Sequence, residues 1–213
     1  SQTHPARRPG GAAPVRVIAG LKKGLDLRCG HGPRFRPTQQ LVKGSVFDTI
    51  GRAVTGATFL DLFAGSGAMG IEALSRGASR AVFVEQDRAI LRALRTNLER
   101  CGFGADRAEV RNGDAVRYLA RAAGAGASFD VIFADPPYEG KTAQKIVDIA
   151  AASARPLCNL LVVEHGNPVF VAEGAALALE KARQFGGTKI SYFRYRKEGT
   201  ADEGRDGAVS RDV

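Results

Sequence analysis

The stretch Asp61-Leu62-Phe63-Ala64-Gly65-Ser66-Gly67-Ala68-Met69-Gly70 decides the fold. An apolar run from Phe59 to Phe63 stops at glycines spaced G-x-G-x-x-G, and a run with helical spacing, Met69 to Arg76, follows until Gly77. A strand that passes through glycines into a helix is the opening unit of an open α/β sheet. The glycines let backbone approach a ligand, and the helix start offers free N–H groups at a positive dipole end. Glu85 closes the next apolar run 20 residues after Gly65, where a carboxylate accepts both hydrogen bonds of a ribose diol. This spacing serves any adenosine cofactor and does not separate a nicotinamide from S-adenosylmethionine. Asp61 and Phe63 before the glycines favour S-adenosylmethionine, because a carboxylate there attracts ammonium and sulfonium charges and repels a pyrophosphate.

Downstream the alternation continues. It predicts a strand over Arg80–Glu85, a helix over Asp87–Arg100 stopped at Gly102, a strand over Ala108–Arg111 and a helix over Ala115–Ala123. A strand over Phe129–Ala134, a helix over Ala143–Ala152 and a strand over Leu160–Glu164 follow. Strands alternating with helices imply right-handed crossovers and a parallel sheet covered on both faces. Ala176–Phe185 and Lys189–Arg196 flank Gly186-Gly187-Thr188 and predict a closing antiparallel hairpin. Upstream, Val15–Ala19 and Leu25–Cys29 predict a small basic hairpin, and a helix is expected from Gln39 to Val54 after Arg36-Pro37-Thr38. The expected organisation is a flexible basic arm over 1–14, a hairpin and helix over 15–54, the α/β domain over 55–196 and a flexible tail over 197–213.

The second informative stretch is Asp135-Pro136-Pro137-Tyr138, directly after the Val131-Ile132-Phe133-Ala134 run. Two prolines make a rigid loop but do not account for the acid before them or the aromatic after them. Amino-group chemistry does. An exocyclic amine on a nucleobase is a poor nucleophile because its lone pair is delocalised into the ring. The Asp135 carboxylate and the Pro136 carbonyl can accept its two N–H bonds, while Pro137 holds the loop and Tyr138 stacks on an unpaired base. Asp114, after the third strand of the sheet, reads equally as a helix N-cap and as a cofactor contact.

The 213 residues are 44% hydrophobic and 25% charged, the balance of an ordinary globular domain with a modest extension. No stretch approaches the ~20 apolar residues of a membrane span, and the first residues lack a secretory signal. Cys29, Cys101 and Cys158 are scattered and odd in number, so neither a disulfide framework nor a zinc site is indicated. A cytoplasmic location without a metal is the expectation. His4, His31 and His165 have no partner spacing and are expected at the surface. The net charge is +9, and residues 1–36 hold eight basic residues against Asp26 alone. A concentrated basic segment reads equally as an electrostatic footprint for a polyanion, most often nucleic acid, and as a solubilising arm. Arg16, Lys22, Lys23, Arg34 and Arg36 are the candidate nucleic-acid contacts, and Arg194 and Arg196 are expected on a solvated face.

Val17-Ile18-Ala19-Gly20, Arg36-Pro37-Thr38, Asp61 to Gly70, Glu72-Ala73-Leu74-Ser75-Arg76-Gly77-Ala78, Glu85-Gln86-Asp87 and Asp135 to Tyr138, in that order, resemble the bacterial 16S rRNA (guanine-N2)-methyltransferase family. The resemblance covers Val15 to Arg196. It implies a Rossmann-like class I methyltransferase fold, a mostly parallel seven-stranded sheet with a C-terminal antiparallel hairpin. It further implies S-adenosylmethionine as donor, S-adenosylhomocysteine as product, and small-subunit rRNA as partner within a partly assembled ribosomal subunit, the protein acting as a monomer. It carries catalysis to Asp135, Pro136, Pro137 and Tyr138. Cofactor contacts fall on Thr38, Asp61, Phe63, Ala64, Gly65, Ser66, Gly67, Glu85, Gln86, Asp114 and Ala115. In one departure from the family pattern, Lys43 is followed by Gly44 where a Glu is usual. Competing readings are a DNA adenine-N6 methyltransferase, for which the chain lacks a separate target-recognition domain, a nicotinamide-dependent oxidoreductase, which leaves Asp135 to Tyr138 unexplained, and a noncatalytic RNA-binding factor.

Overall fold

The computed structural model describes residues 15–28, 37–138 and 141–196. The sheet is built from β3 (Thr58–Leu62), β4 (Arg80–Glu85), β5 (Ala108–Asn112), β6 (Phe129–Ala134), β7 (Cys158–His165), β8 (Leu177–Phe185) and β9 (Thr188–Tyr195). Its order is β5-β4-β3-β6-β7-β9-β8, with β5, β4, β3, β6 and β7 parallel and β9 antiparallel to both its neighbours. The seven-stranded, mostly parallel sheet with its C-terminal hairpin is the expected fold. The chain winds outward from β3 in one direction and from β6 in the other, so the crevice at their carboxyl ends is where such a sheet binds ligands.

Alternate residues of each strand feed two cores. Phe59, Phe83, Phe133, Val162 and Tyr192 point to one face, under α1 (Pro37–Ile50), α2 (Ala68–Ser75) and α3 (Arg88–Cys101). Leu60, Val84, Ile132, Leu161 and Phe193 point to the other, under α4 (Ala115–Gly124) and α5 (Thr142–Ala151). In α3 the buried Leu91, Leu94, Leu98 and Cys101 recur at helical spacing. Asp87 caps its first turn by accepting from Ala89 and Ile90 N–H, and Gly102 at φ 66° ends it in the left-handed conformation only glycine adopts freely.

The N-terminal hairpin is shorter than expected. Among the described residues strand pairing is confined to β1 (Val15–Arg16) and β2 (Asp26–Leu27); Val17 N–H still crosses to the Leu25 carbonyl at 3.0 Å, but the amides after it are taken elsewhere. Ile18 and Ala19 N–H donate to the Glu72 carboxylate at 2.7 and 3.0 Å, and Lys22 N–H donates to Ser75 Oγ at 2.9 Å. The hairpin is thereby fused to α2. Gly20 is obligatory, because a Cβ there would overlap the Ser75 carbonyl. α1 also ends earlier than expected, its continuation over Gly51–Val54 tightening into a 3₁₀ turn. Phe63 leaves β3 rather than extending it, with φ 64° as the chain turns out of the sheet.

Candidate active site at the carboxyl edge

The three glycines have different tasks. Gly67 (φ 83°) has no room for a Cβ beside the Leu94 side chain of α3, and Gly70 none beside the Phe83 ring of β4, so the first serves helix-to-helix and the second helix-to-sheet packing. Gly65 (φ 55°) opens on free space, with only the Phe63 carbonyl 3.9 Å from where a Cβ would stand. Glu85 holds this loop in shape, its Oε2 accepting from Gly65 N–H at 3.0 Å and its Oε1 from Asp87 N–H at 2.8 Å. A carboxylate has about four lone-pair sites, so both oxygens retain acceptor capacity for a diol. Asn112 braces the turn from below by donating to the Glu85 and Gln86 carbonyls at 3.1 Å.

Asp61 is buried, and its Oδ2 accepts from Gly70 N–H at 2.9 Å. Burial raises its pKa well above the usual carboxylate range, and the negative fields of Asp135 and Glu85 push the same way. Phe63 and Ala64 form the loop's first turn, the Ala64 carbonyl accepting from Gly67 N–H. Asp114 is an exposed N-cap of α4, accepting from Arg117 N–H at 2.8 Å, and Ala115 behind it is buried. Gln86 is exposed.

At the end of β6, Asp135 enters the same crevice. No hydrogen bond from another described residue reaches its carboxyl. Burial, reinforced by the nearby Glu164 carboxylate, pushes its pKa up to about 8. Pro136 is buried and Pro137 exposed. Tyr138 is anchored at its tip, its hydroxyl 2.7 Å from both Glu164 Oε1 and Thr188 Oγ1, while 46% of the residue remains exposed. Beside this loop lies a cavity of about 460 Å³, bounded by Pro136 to Tyr138 on one side and by the segment from His165 to Phe170 on the other.

A family model described as Conserved hypothetical protein 95 matches residues 15–194. The ribosomal RNA small subunit methyltransferase D of Haemophilus influenzae is 32% identical over 81% of this chain and 91% of its own length. The Escherichia coli K12 protein of the same name is 30% identical over 92% and 96%. The chain belongs to this methyltransferase family. Among solved structures, a hypothetical protein of Thermus thermophilus superposes with a TM-score of 0.67 at 30% identity, covering 83% of this chain and 97% of that one.

In this family member several side chains that shape the site escaped the sequence reading. Glu164 had a visible signal, an acid closing the otherwise apolar run Leu160 to Val163. Asn97 had none. Its amide donates to the Ser66 and Arg28 carbonyls, each at 2.9 Å, and accepts from Arg28 N–H at 2.8 Å, tying the end of the hairpin to the glycine loop. His165 is a correction. It is buried rather than surface-lying, because it ends an interior strand flanked by β6 and β9, and it pairs with the Asn167 carbonyl at 2.6 Å and Ser191 Oγ at 2.8 Å.

Among the described residues, the basic candidates at the hairpin tip do not reach the crevice. Arg16 is held by Asp26 at 2.6 Å. Lys22 and Lys23 form the hairpin tip, where Lys22 lies 6.0 Å from the Phe103 ring, beyond the far end of α3. α2 and α3 run back from the carboxyl edge, so this tip sits at the opposite, amino edge of the sheet. Arg34, Arg36 and the side chain of Thr38 lie outside the described residues. Arg194 is exposed and pairs with Glu180 at 2.7 Å.

Proposed function

We propose that the chain transfers a methyl group from S-adenosylmethionine to the exocyclic N2 of a guanine in 16S rRNA, releasing S-adenosylhomocysteine. The observation that carries this reading is the Asp135 carboxyl, free of any hydrogen bond from another described residue at the mouth of a crevice lined by further acids. Asp61, Glu85 and Glu164 bring further carboxyl groups to that crevice, and a ligand bearing sulfonium and ammonium charges would favour their ionised forms where a dinucleotide pyrophosphate would be repelled. Gly65, Ser66 and Gly67 would meet the amino-acid part of the cofactor and Glu85 its ribose. The donor supplies an electrophilic methyl carbon.

The rest is positioning by this chain's own groups. The Asp135 carboxylate and the Pro136 carbonyl accept the two N–H bonds of the guanine amine and turn its lone pair outward. That pair forms the N–C bond while the C–S pair returns to sulfur. The proton then shed by nitrogen passes to Asp135, whose raised pKa suits it to hold one. Pro137 keeps the loop rigid, and Tyr138, fixed through its hydroxyl, offers its ring to the base. No metal is needed for such a displacement.

On this reading the protein acts as a cytoplasmic monomer on a partly assembled small subunit. Arg16, Lys22, Lys23, Arg34 and Arg36 would contact phosphates, with affinity falling steeply as salt rises. The deciding experiment incubates the protein with labelled S-adenosylmethionine and undermethylated small subunits, then analyses nucleosides. Label in N2-methylguanine is the expected outcome, and label absent or in another nucleoside refutes the assignment.

A further inference from the structure

Five large hydrophobic side chains are exposed among the described residues, and two of them, Tyr138 and Phe170, border the same cavity beside Asp135. Phe170 is 71% exposed, yet its direction is set by its neighbours. Val169 and Val171 pack against the core on either side, so alternation turns Phe170 outward. Its backbone is clamped as well. Gln144, in the first turn of α5, accepts from Phe170 N–H at 2.9 Å and donates to the Phe170 carbonyl at 2.8 Å. The same amide nitrogen donates to Asp148 Oδ1 at 2.7 Å. A carboxylate can only accept, so this bond fixes which way round the amide stands.

A phenyl ring held facing water on a fixed backbone, across a cavity from a tethered tyrosine, is an arrangement that stacks a flat ligand. The cavity volume of about 460 Å³ is within the range of small-molecule sites, and Lys141 on its rim supplies a cation for a phosphate. Unpaired bases of RNA are held in this way, between aromatic faces with basic groups on the backbone. We propose that Phe170 is the second aromatic wall of the site for the unpaired target base, and that Gln144 is its positioning residue. This rests on the methyl-transfer reading above.

Phe170→Ala should raise KM for undermethylated small subunits roughly 5- to 100-fold, the effect of losing one base stack, with kcat and S-adenosylmethionine affinity changed less than about twofold. Phe170→Tyr should restore KM and Phe170→Leu should not, which separates stacking from simple apolar bulk. Gln144→Ala should raise KM in the same way and add little to Phe170→Ala in the double variant. The chain has no tryptophan. Phe170→Trp therefore places a single reporter in the wall, and its fluorescence should be quenched by a single-stranded guanine-containing RNA oligonucleotide. An unchanged KM in Phe170→Ala, a wild-type KM in Phe170→Leu, or a silent reporter with bound RNA would overturn the proposal. Label from the wild type at an atom other than guanine N2 would remove the guanine assignment, while the reporter would still decide the wall.

Discussion

The Tyr138 hydroxyl lies 2.7 Å from Glu164 Oε1, so the loop that follows β6 is tethered to a buried acid on the neighbouring strand. That acid also faces Asp135, and its negative field is one of the two causes of the raised Asp135 pKa. Glu164→Gln keeps a hydrogen-bonding partner for the hydroxyl and removes the charge. The acidic limb of kcat/KM, which reports ionisation of the free enzyme's essential base, should then move to lower pH. An unmoved limb would show that Glu164 does not set the ionisation of Asp135.

Asp135→Asn should lower kcat by about 10²- to 10⁴-fold, the usual worth of a positioned acid–base group, while cofactor binding measured by calorimetry persists. Its effect on stability has the opposite sign. A carboxyl whose pKa is raised in the folded state holds its proton more tightly there than in the unfolded chain, where it ionises near ~3.9. The wild type therefore loses stability as pH rises between roughly 4 and 8, and the loss persists above that window. The thermal midpoint of Asp135→Asn should exceed that of the wild type at pH 8, and the gap should shrink towards pH 5.

Two glycines in the chain should answer substitution in opposite directions. Gly70→Ala drives a methyl group into the Phe83 ring and should cost about 1–3 kcal/mol in denaturant titration. Gly44 lies inside α1 with no atom within 4 Å of where a Cβ would stand. Gly44→Ala should therefore stabilise by up to ~1 kcal/mol.

Asn97→Ala removes three hydrogen bonds that join Arg28 to Ser66. The backbone groups of a part-buried junction lose their partners, at an expected cost of about 1–3 kcal/mol. Cofactor affinity should fall as well, because Ser66 lies in the glycine loop. Wild-type affinity in this variant would detach the loop from the hairpin.

The parts of the fold legible in the sequence are those governed by local periodicity. Every strand and helix from β3 to β9 falls where apolar spacing and glycine stops put it, with ends shifted by a residue or two. Failures occur where a distant partner overrides the local pattern. Ile18 and Ala19 have strand-like sequence, yet Glu72, more than 50 residues on, takes their amides. Phe63 continues an apolar run but turns out of it with a positive φ that no residue type announced. Asp61 and Asp135 stood out in the sequence because one interrupts an apolar run and the other ends one. Gln144 and Asn97 did not, since each is a polar residue on a helix whose task is defined only by what it meets across the fold.

The buried Glu72 accepts from two hairpin amides and also meets Lys43 Nζ at 3.3 Å and Arg76 Nε at 2.8 Å. One carboxylate thus ties the hairpin and α1 to its own helix, and removing it would leave the buried Lys43 ammonium without its counter-charge. The hairpin is consequently not an appendage that must find its shape on meeting RNA. Its conformational entropy is already spent when the domain folds, so any ligand bound through Lys22 and Lys23 would meet a rigid template rather than a folding tail.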